Sequence, residues 1–146
     1  EIRGKISQGG IYDVWRLIDM PDPNIHCIVL AASEYQKIFP SIYEYIHAPF
    51  QDALGLSEGD RKQIYKIIDK ASDQVVSRVK QGKHVLISCQ AGLNRSGILT
   101  ARTLMKFGFS PADAIEITRK GRGKNALFNS EFCKMLLDLG DDTNAS

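Results

Sequence analysis

Hydrophobic positions change period along the chain, and each change marks an element. Cys27 to Leu30 and His84 to Cys89 carry short, continuous apolar runs, the pattern of strands buried on both faces. Ile42, Glu44 and Ile46 alternate with Tyr43, Tyr45 and His47, a period of two that predicts a strand delivering Pro49 to Asp52 into a loop. A shorter strand-like piece lies around Ile6, before a turn at Gly9-Gly10. Val14, Leu17 and Ile18 follow at helical spacing until PDPN, residues 21–24, breaks the pattern. A short helix is expected over Ser33–Phe39, ahead of Pro40.

The longest periodic stretch opens at Ser57, an N-cap with Asp60 three residues on, and places Ile64, Ile67, Ile68, Ala71, Val75, Val76 and Val79 on one face. Gly82 ends it. Further helices are expected over Ile98–Phe107, closed by Gly108, from Ser110-Pro111 with Ala114, Ile115 and Thr118, and from about Ser130 with Phe132, Met135, Leu136 and Leu139. DDTNAS, residues 141–146, reads as a disordered polar tail. Strands alternating with helices predict an α/β fold, a mostly parallel sheet with its ligand at the carboxyl ends of the strands.

Composition narrows the function. The 146 residues, 43% hydrophobic and 25% charged, suit one globular domain. A net charge of +2 argues against bulk nucleic-acid binding. Cys27, Cys89 and Cys133 are too scattered for a disulfide or zinc framework, which predicts a reducing, cytoplasmic setting. Cys27 is expected as a small core hydrophobe, with a protective disulfide to Cys89 as the alternative. His26, His47 and His84 share no ligand spacing, so no metal or other cofactor is expected. No apolar run nears the roughly 18 residues of a membrane span and no signal peptide shows. Because the chain opens on Glu1 rather than methionine, a trimmed start is expected.

The chemistry concentrates in HVLISCQAGLNRSGILTARTLM, His84 to Met105, where a strand stopping at Cys89 leads through a short loop to a helix opening near Ser96. Five residues separate Cys89 from Arg95, with Gly92 in their middle. The first N–H groups of a helix lack intrahelical partners and, with the helix dipole, favour an anion such as phosphate. Arg95 adds a planar fork suited to two phosphate oxygens. Gly92 lets successive N–H groups turn inward. Cys89 faces the same positive field, which favours the thiolate, its nucleophilic form. Ser96 is placed to donate a hydrogen bond to that sulfur and help it leave in a second step.

Cys89, the five residues after it, Arg95 and Ser96 resemble the CX5R(S/T) signature of the cysteine-dependent protein phosphatases, and CQAGLNRSG resembles their dual-specificity branch. The resemblance covers about Ile42 to Leu139. It implies one phosphatase domain over residues 1–140 that hydrolyses phosphomonoesters, with Cys89 as nucleophile. Arg95 and the amides of Gln90, Ala91, Gly92, Leu93 and Asn94 are implied to hold phosphate, with Ser96 assisting the sulfur. Asp52, in a loop between a strand and the long helix, is implied as the general acid that protonates the leaving group; its other reading is a turn cap. One position departs from the family: histidine usually precedes the cysteine, and Ser88 stands there. His84, five residues earlier, cannot take its place on a strand.

The expected partner is a phosphorylated protein, with phosphotyrosine, phosphoserine and phosphothreonine admitted to a shallow pocket. GLNRSG, with Asn94 before the arginine, also resembles the RNA 5′-triphosphatase branch, making an RNA 5′ end the alternative partner; the favoured reading of Asn94 is a brace for the loop backbone. Gln90, Ala91 and Leu93 bring no positive charge, which disfavours a lipid substrate. Ser88 keeps a catalytically weak phosphate-binding module among the alternatives. RKGRGK, Arg119 to Lys124, reads as a solvated loop between helices or as an electrostatic lure near the site mouth.

Overall fold

The computed structural model describes residues 4–37 and 41–145. Its four strands are β1 (Lys5–Gly9), β2 (Cys27–Ala32), β3 (Glu44–Phe50) and β4 (His84–Ser88), and its helices are α1 (Ile11–Asp19), α2 (Glu58–Lys80), α3 (Arg95–Lys106), α4 (Pro111–Arg122) and α5 (Ser130–Ala145). The strands form one sheet in the order β1-β4-β2-β3. Each pairing is parallel, as the alternation of strand and helix predicts.

Successive strand residues point to opposite faces, and that alternation sorts the core. Cys27, Val29, Ile46, Val85 and Ile87 belong to the large cluster with Ile64, Ile68, Val75 and Val79 of α2, Ile98 and Leu99 of α3, and Phe132 and Leu136 of α5. Ile28, Leu30 and Leu86 pack instead with Ile11 and Val14 of α1. Carried past Ile87, the same alternation puts Cys89 in the large cluster. Ser88 turns the other way, and its buried hydroxyl donates to the Val29 carbonyl at 2.6 Å. Because β2 pairs with β4 from Cys27↔Val85 to Leu30↔Ser88, β4 stops beside Leu30 while β2 runs on to Ala32. The loop after β4 therefore opens at the carboxyl edge of the sheet.

The long helix begins as expected: Ser57 Oγ accepts from the Asp60 N–H at 3.1 Å, and the Asp60 carboxylate accepts from the Ser57 N–H at 3.2 Å. Its end is marked by Gly82 at φ +85°, a conformation that glycine adopts without steric cost. Three expectations shift. Ser33 to Lys37 form a turn and an irregular segment rather than a helix, and the rest of that expected helix, residues 38–39, lies outside the described residues. A single turn is too short to pay for helix nucleation, and the Gln36 amide instead donates back to the Leu30 and Ala32 carbonyls at 2.9 and 2.7 Å. Strand β3 starts at Glu44 and runs through Phe50, so Pro49 lies in the strand. An edge strand tolerates proline because one side needs no ladder donor. Finally, α5 continues over the backbone of residues 141–145, where a polar tail was expected.

Candidate active site

The loop between β4 and α3 lies directly on the junction of β1 and α1. Gly92 has φ +77°, and a Cβ there would stand 2.6 Å from the Gly9 carbonyl carbon and 2.8 Å from the Gly10 nitrogen. A Cβ on Gly10 would stand 2.7 Å from the Gln90 oxygen. Glycine on both sides lets two backbones touch, which fixes the loop against the sheet.

Every carbonyl from Gln90 to Leu93 is engaged from outside the loop. The Gln90 oxygen accepts from the Ile11 N–H at 3.0 Å and the Leu93 oxygen from the Leu127 N–H at 3.1 Å. Arg122 donates to the Ala91 oxygen at 3.2 Å and to the Gly92 oxygen at 3.0 Å. The Gln8 amide also donates to Gly92, at 3.3 Å. In a trans peptide the carbonyl and the following N–H point opposite ways, so outward carbonyls leave the N–H groups facing the loop interior. Among the described residues, none of the N–H groups of Gln90 to Asn94 has a protein acceptor. A ring of inward, unpartnered N–H groups at a helix start is an anion cradle.

Arg95 is 5% exposed and closes one side of the cradle. Its fork is already used: Nη1 and Nη2 donate to the two carboxylate oxygens of Glu34 at 2.6 and 2.8 Å, and Nη1 also to the Phe50 carbonyl at 3.2 Å. Of the five guanidinium donors, Nε–H and one Nη2–H remain, and they lie on one edge. Nε is buried with no partner among the described residues. The end of the fork thus holds Glu34, and the side-on edge is the pair left to grip an anion. Hydrogen bonds from Arg95 lower the Glu34 pKa to about 2, against the opposing effect of partial burial. Burial works against the charge on Arg95, but Glu34, with smaller help from Cys89 and Asp52, keeps the guanidinium protonated.

Cys89 is 4% exposed, with Sγ 3.4 Å from the Ser96 Oγ. Asp52 follows β3 in an exposed loop. Its two carboxylate oxygens accept from the Asn94 amide at 2.9 Å and the Asn129 amide at 2.8 Å. Asn129 also caps α5, because its Oδ1 accepts from the N–H groups of Glu131 and Phe132, both at 3.1 Å. The Asn94 Oδ1 accepts from the Asn129 N–H at 2.9 Å, closing a triangle around Asp52. Asn94 therefore ties two other loops together instead of bracing its own loop backbone. Beyond Asp52, the Leu56 N–H and the Arg61 guanidinium converge on Glu131, fixing the far end of the same loop to α5.

Cys89, Arg95, Ser96, Asp52 and the loop residues Gln90 to Asn94 all meet at this edge of the sheet. Sequence reasoning missed Glu34, Gln8 and Asn129, and reached Arg122 only as part of a basic run that could lie near the site mouth. A signal existed for Asn129, which precedes the expected start of a helix and is a favoured N-cap type. Ser88 bonds within the sheet and does not reach the loop. His84 lies at the opposite end of β4, beside Ser7 and His26. Cys27 is fully buried, its thiol pushed up to about 12 by burial and by the nearby Glu44, and no disulfide joins it to Cys89. Arg119 to Arg122 belong to α4 rather than to a loop, while Lys120 to Lys124 are exposed, as expected of a solvated segment. Arg119 is spent on the Ala126 and Leu127 carbonyls, and Arg122 on the cradle.

A sequence model of the dual specificity phosphatase catalytic domain matches residues 20–142. The chain belongs to that family. The match begins before β2, upstream of the Ile42 at which the resemblance in sequence starts. Comparison with curated proteins finds no match. Among solved structures, this dual-specificity phosphatase domain is similar to DUSP15, with a TM-score of 0.79 at 19% identity over 96% of this chain and 85% of that one. It is similar to human DUSP28, with a TM-score of 0.77 at 16% identity over 96% and 92%. Tk-PTP in its active form gives a TM-score of 0.70 at 22% identity over 94% and 92%. These likenesses show the fold. Among the described residues of the phosphatase domain, no helix is long and apolar enough to cross a membrane, and no three histidine, cysteine, aspartate or glutamate side chains cluster as metal ligands.

Proposed function

We propose that this domain hydrolyses phosphomonoesters on protein side chains through a phosphocysteine, accepting phosphotyrosine as well as phosphoserine and phosphothreonine. The observation that carries the reading is the cradle itself, with carbonyls turned out and N–H groups turned in around Cys89. In the first step a sulfur lone pair of the Cys89 thiolate forms the S–P bond. The ester P–O bond breaks and its electron pair stays on the leaving oxygen, which takes a proton from the Asp52 carboxyl. The Asn94 and Asn129 amides each leave their Asp52 oxygen a second lone pair, so the carboxyl can carry that proton without losing either bond. The cradle N–H groups and the side-on edge of Arg95 hold the three non-bridging oxygens. In the second step water attacks phosphorus and gives its proton to Asp52. The S–P pair returns to sulfur, which accepts a hydrogen bond from Ser96.

The place of Asn94 favours a phosphoprotein over an RNA 5′ end. Its amide is committed to the upstream aspartate, the residue that the RNA branch tends to lack. The test is hydrolysis of a small aryl phosphate from about pH 5 to 8, the range in which a carboxyl acid can be tuned to work. Turnover is expected to vanish in Cys89→Ser and to fall by about 100-fold or more in Asp52→Asn. A parent protein that binds vanadate without turnover would make the domain a phosphate-binding module. Preferential release of phosphate from triphosphate-ended RNA would move the substrate class to RNA.

A further inference from the structure

Gln8 is an amide in the edge strand β1, paired in register with Ile87 and followed by the Gly9↔Ser88 pair. Resting on the phosphocysteine reading above, we propose that Gln8 is a positioning residue that aims the Ser96 hydroxyl at the Cys89 sulfur. Its Nε2 has two hydrogens and two acceptors, the Ser96 Oγ at 3.0 Å and the Gly92 oxygen at 3.3 Å. Ser96 is fully buried, and its Oγ lies 3.4 Å from the Cys89 Sγ.

A serine hydroxyl has one hydrogen and two lone pairs. One lone pair receives the Gln8 N–H, so the hydroxyl hydrogen has no acceptor on that side. While Cys89 is a thiol, its S–H donates to the Ser96 oxygen. Once it is a thiolate, the hydroxyl hydrogen turns to the sulfur and the Gln8 N–H stays where it was. Gln8 is a constant donor through that exchange, and a donor behind a hydroxyl strengthens the bond the hydroxyl itself donates. The effect is the same for the attacking thiolate and for the thiolate leaving phosphorus. The second Gln8 bond, to the outward Gly92 carbonyl, sets the distance at which the first is made.

Two substitutions separate this role from simple support of the loop. Gln8→Met keeps length and removes the donor. Gln8→Glu keeps shape and offers an acceptor, which draws the Ser96 hydrogen away from sulfur. Two readouts are compared: the pH midpoint of Cys89 alkylation by iodoacetamide, and the phosphoenzyme level during turnover of an aryl phosphate. For Gln8→Met the midpoint is expected to rise by about one pH unit, and phosphoenzyme breakdown to slow about tenfold, the scale of one hydrogen bond to a charged group. Gln8→Glu is expected to move both further in the same direction. In a Ser96→Ala background, Gln8→Met is expected to add nothing to either. Losses that add in that background, or an unmoved midpoint with weakened vanadate binding, overturn the proposal and leave Gln8 as support for Gly92. Alkylation needs no turnover, so the midpoints decide the role of Gln8 even if the phosphocysteine reading fails.

Discussion

At the scale of single residues, Glu34 decides what Arg95 is able to do. Its carboxylate holds the end of the guanidinium and leaves the side-on edge free. Removing the charge with Glu34→Gln is expected to weaken vanadate binding about tenfold by loosening that edge, as measured by inhibition of aryl phosphate hydrolysis. The same pair makes stability depend on pH. Arg95 lowers the Glu34 pKa from 4.5 to about 2, so the pair contributes stability above about pH 4.5 that is lost as pH falls toward 2. Glu34 is 42% exposed, and solvent screens the contribution. The gap in melting temperature between the parent and Glu34→Gln should therefore be small at pH 5 and above and close as pH falls through that window; a gap independent of pH would contradict the ion-pair account. Cys89, Arg95 and Ser96 were legible because the loop chemistry binds them at short, fixed spacing. Glu34 was not, since it lies 61 positions from Arg95 and nothing local distinguishes it from a solvated glutamate.

At the scale of elements, the start of α5 is part of the site. Asn129 uses its oxygen for the first N–H groups of the helix and its amide nitrogen for Asp52. Asn129→Ala is expected to cost about 1 kcal/mol of stability through the lost cap and to reduce turnover. Asn129→Asp keeps a capping oxygen but sets a second carboxylate against Asp52, so turnover should fall while the melting temperature holds. Equal loss of stability in both variants would contradict the cap account, because Asn129→Asp keeps the capping oxygen and loses only the amide donor. The limits of helices and strands were mostly legible from period and cap, as at Ser57 and Gly82. The turn after β2 was not, because a side-chain bond from Gln36 to two strand carbonyls decides it. The basic run was legible in part. Lys120 to Lys124 are exposed, as charge suggested, but nothing local showed that Arg119 and Arg122 cross to backbone carbonyls of neighbouring segments.

At the scale of the whole molecule, the sheet order brings the site together. With β4 between β1 and β2, the loop after Ser88 meets Gly9-Gly10 on one side and the segment leading to Glu34 on the other. The α/β class and the parallel strands were legible from the alternation of elements, but the strand order was not, because parallel neighbours leave no hairpin signal. Ile68, on the fully buried face of α2, tests how far packing against the sheet supports the fold. Ile68→Ala should lower the free energy of unfolding by about 2–5 kcal/mol in denaturant titration, with little change in the turnover of the protein that remains folded, since the hydrogen bonds that hold the cradle carbonyls come from outside α2.

The central claim is that phosphate passes through the Cys89 sulfur. The measurement that tests it most directly is mass spectrometry of protein quenched in acid during turnover of an aryl phosphate. The account predicts the added mass of one phosphoryl group on the peptide that contains Cys89, raised in Ser96→Ala and absent in Cys89→Ser. Turnover by the parent protein with no phosphoryl group on that peptide in either the parent or Ser96→Ala would contradict it.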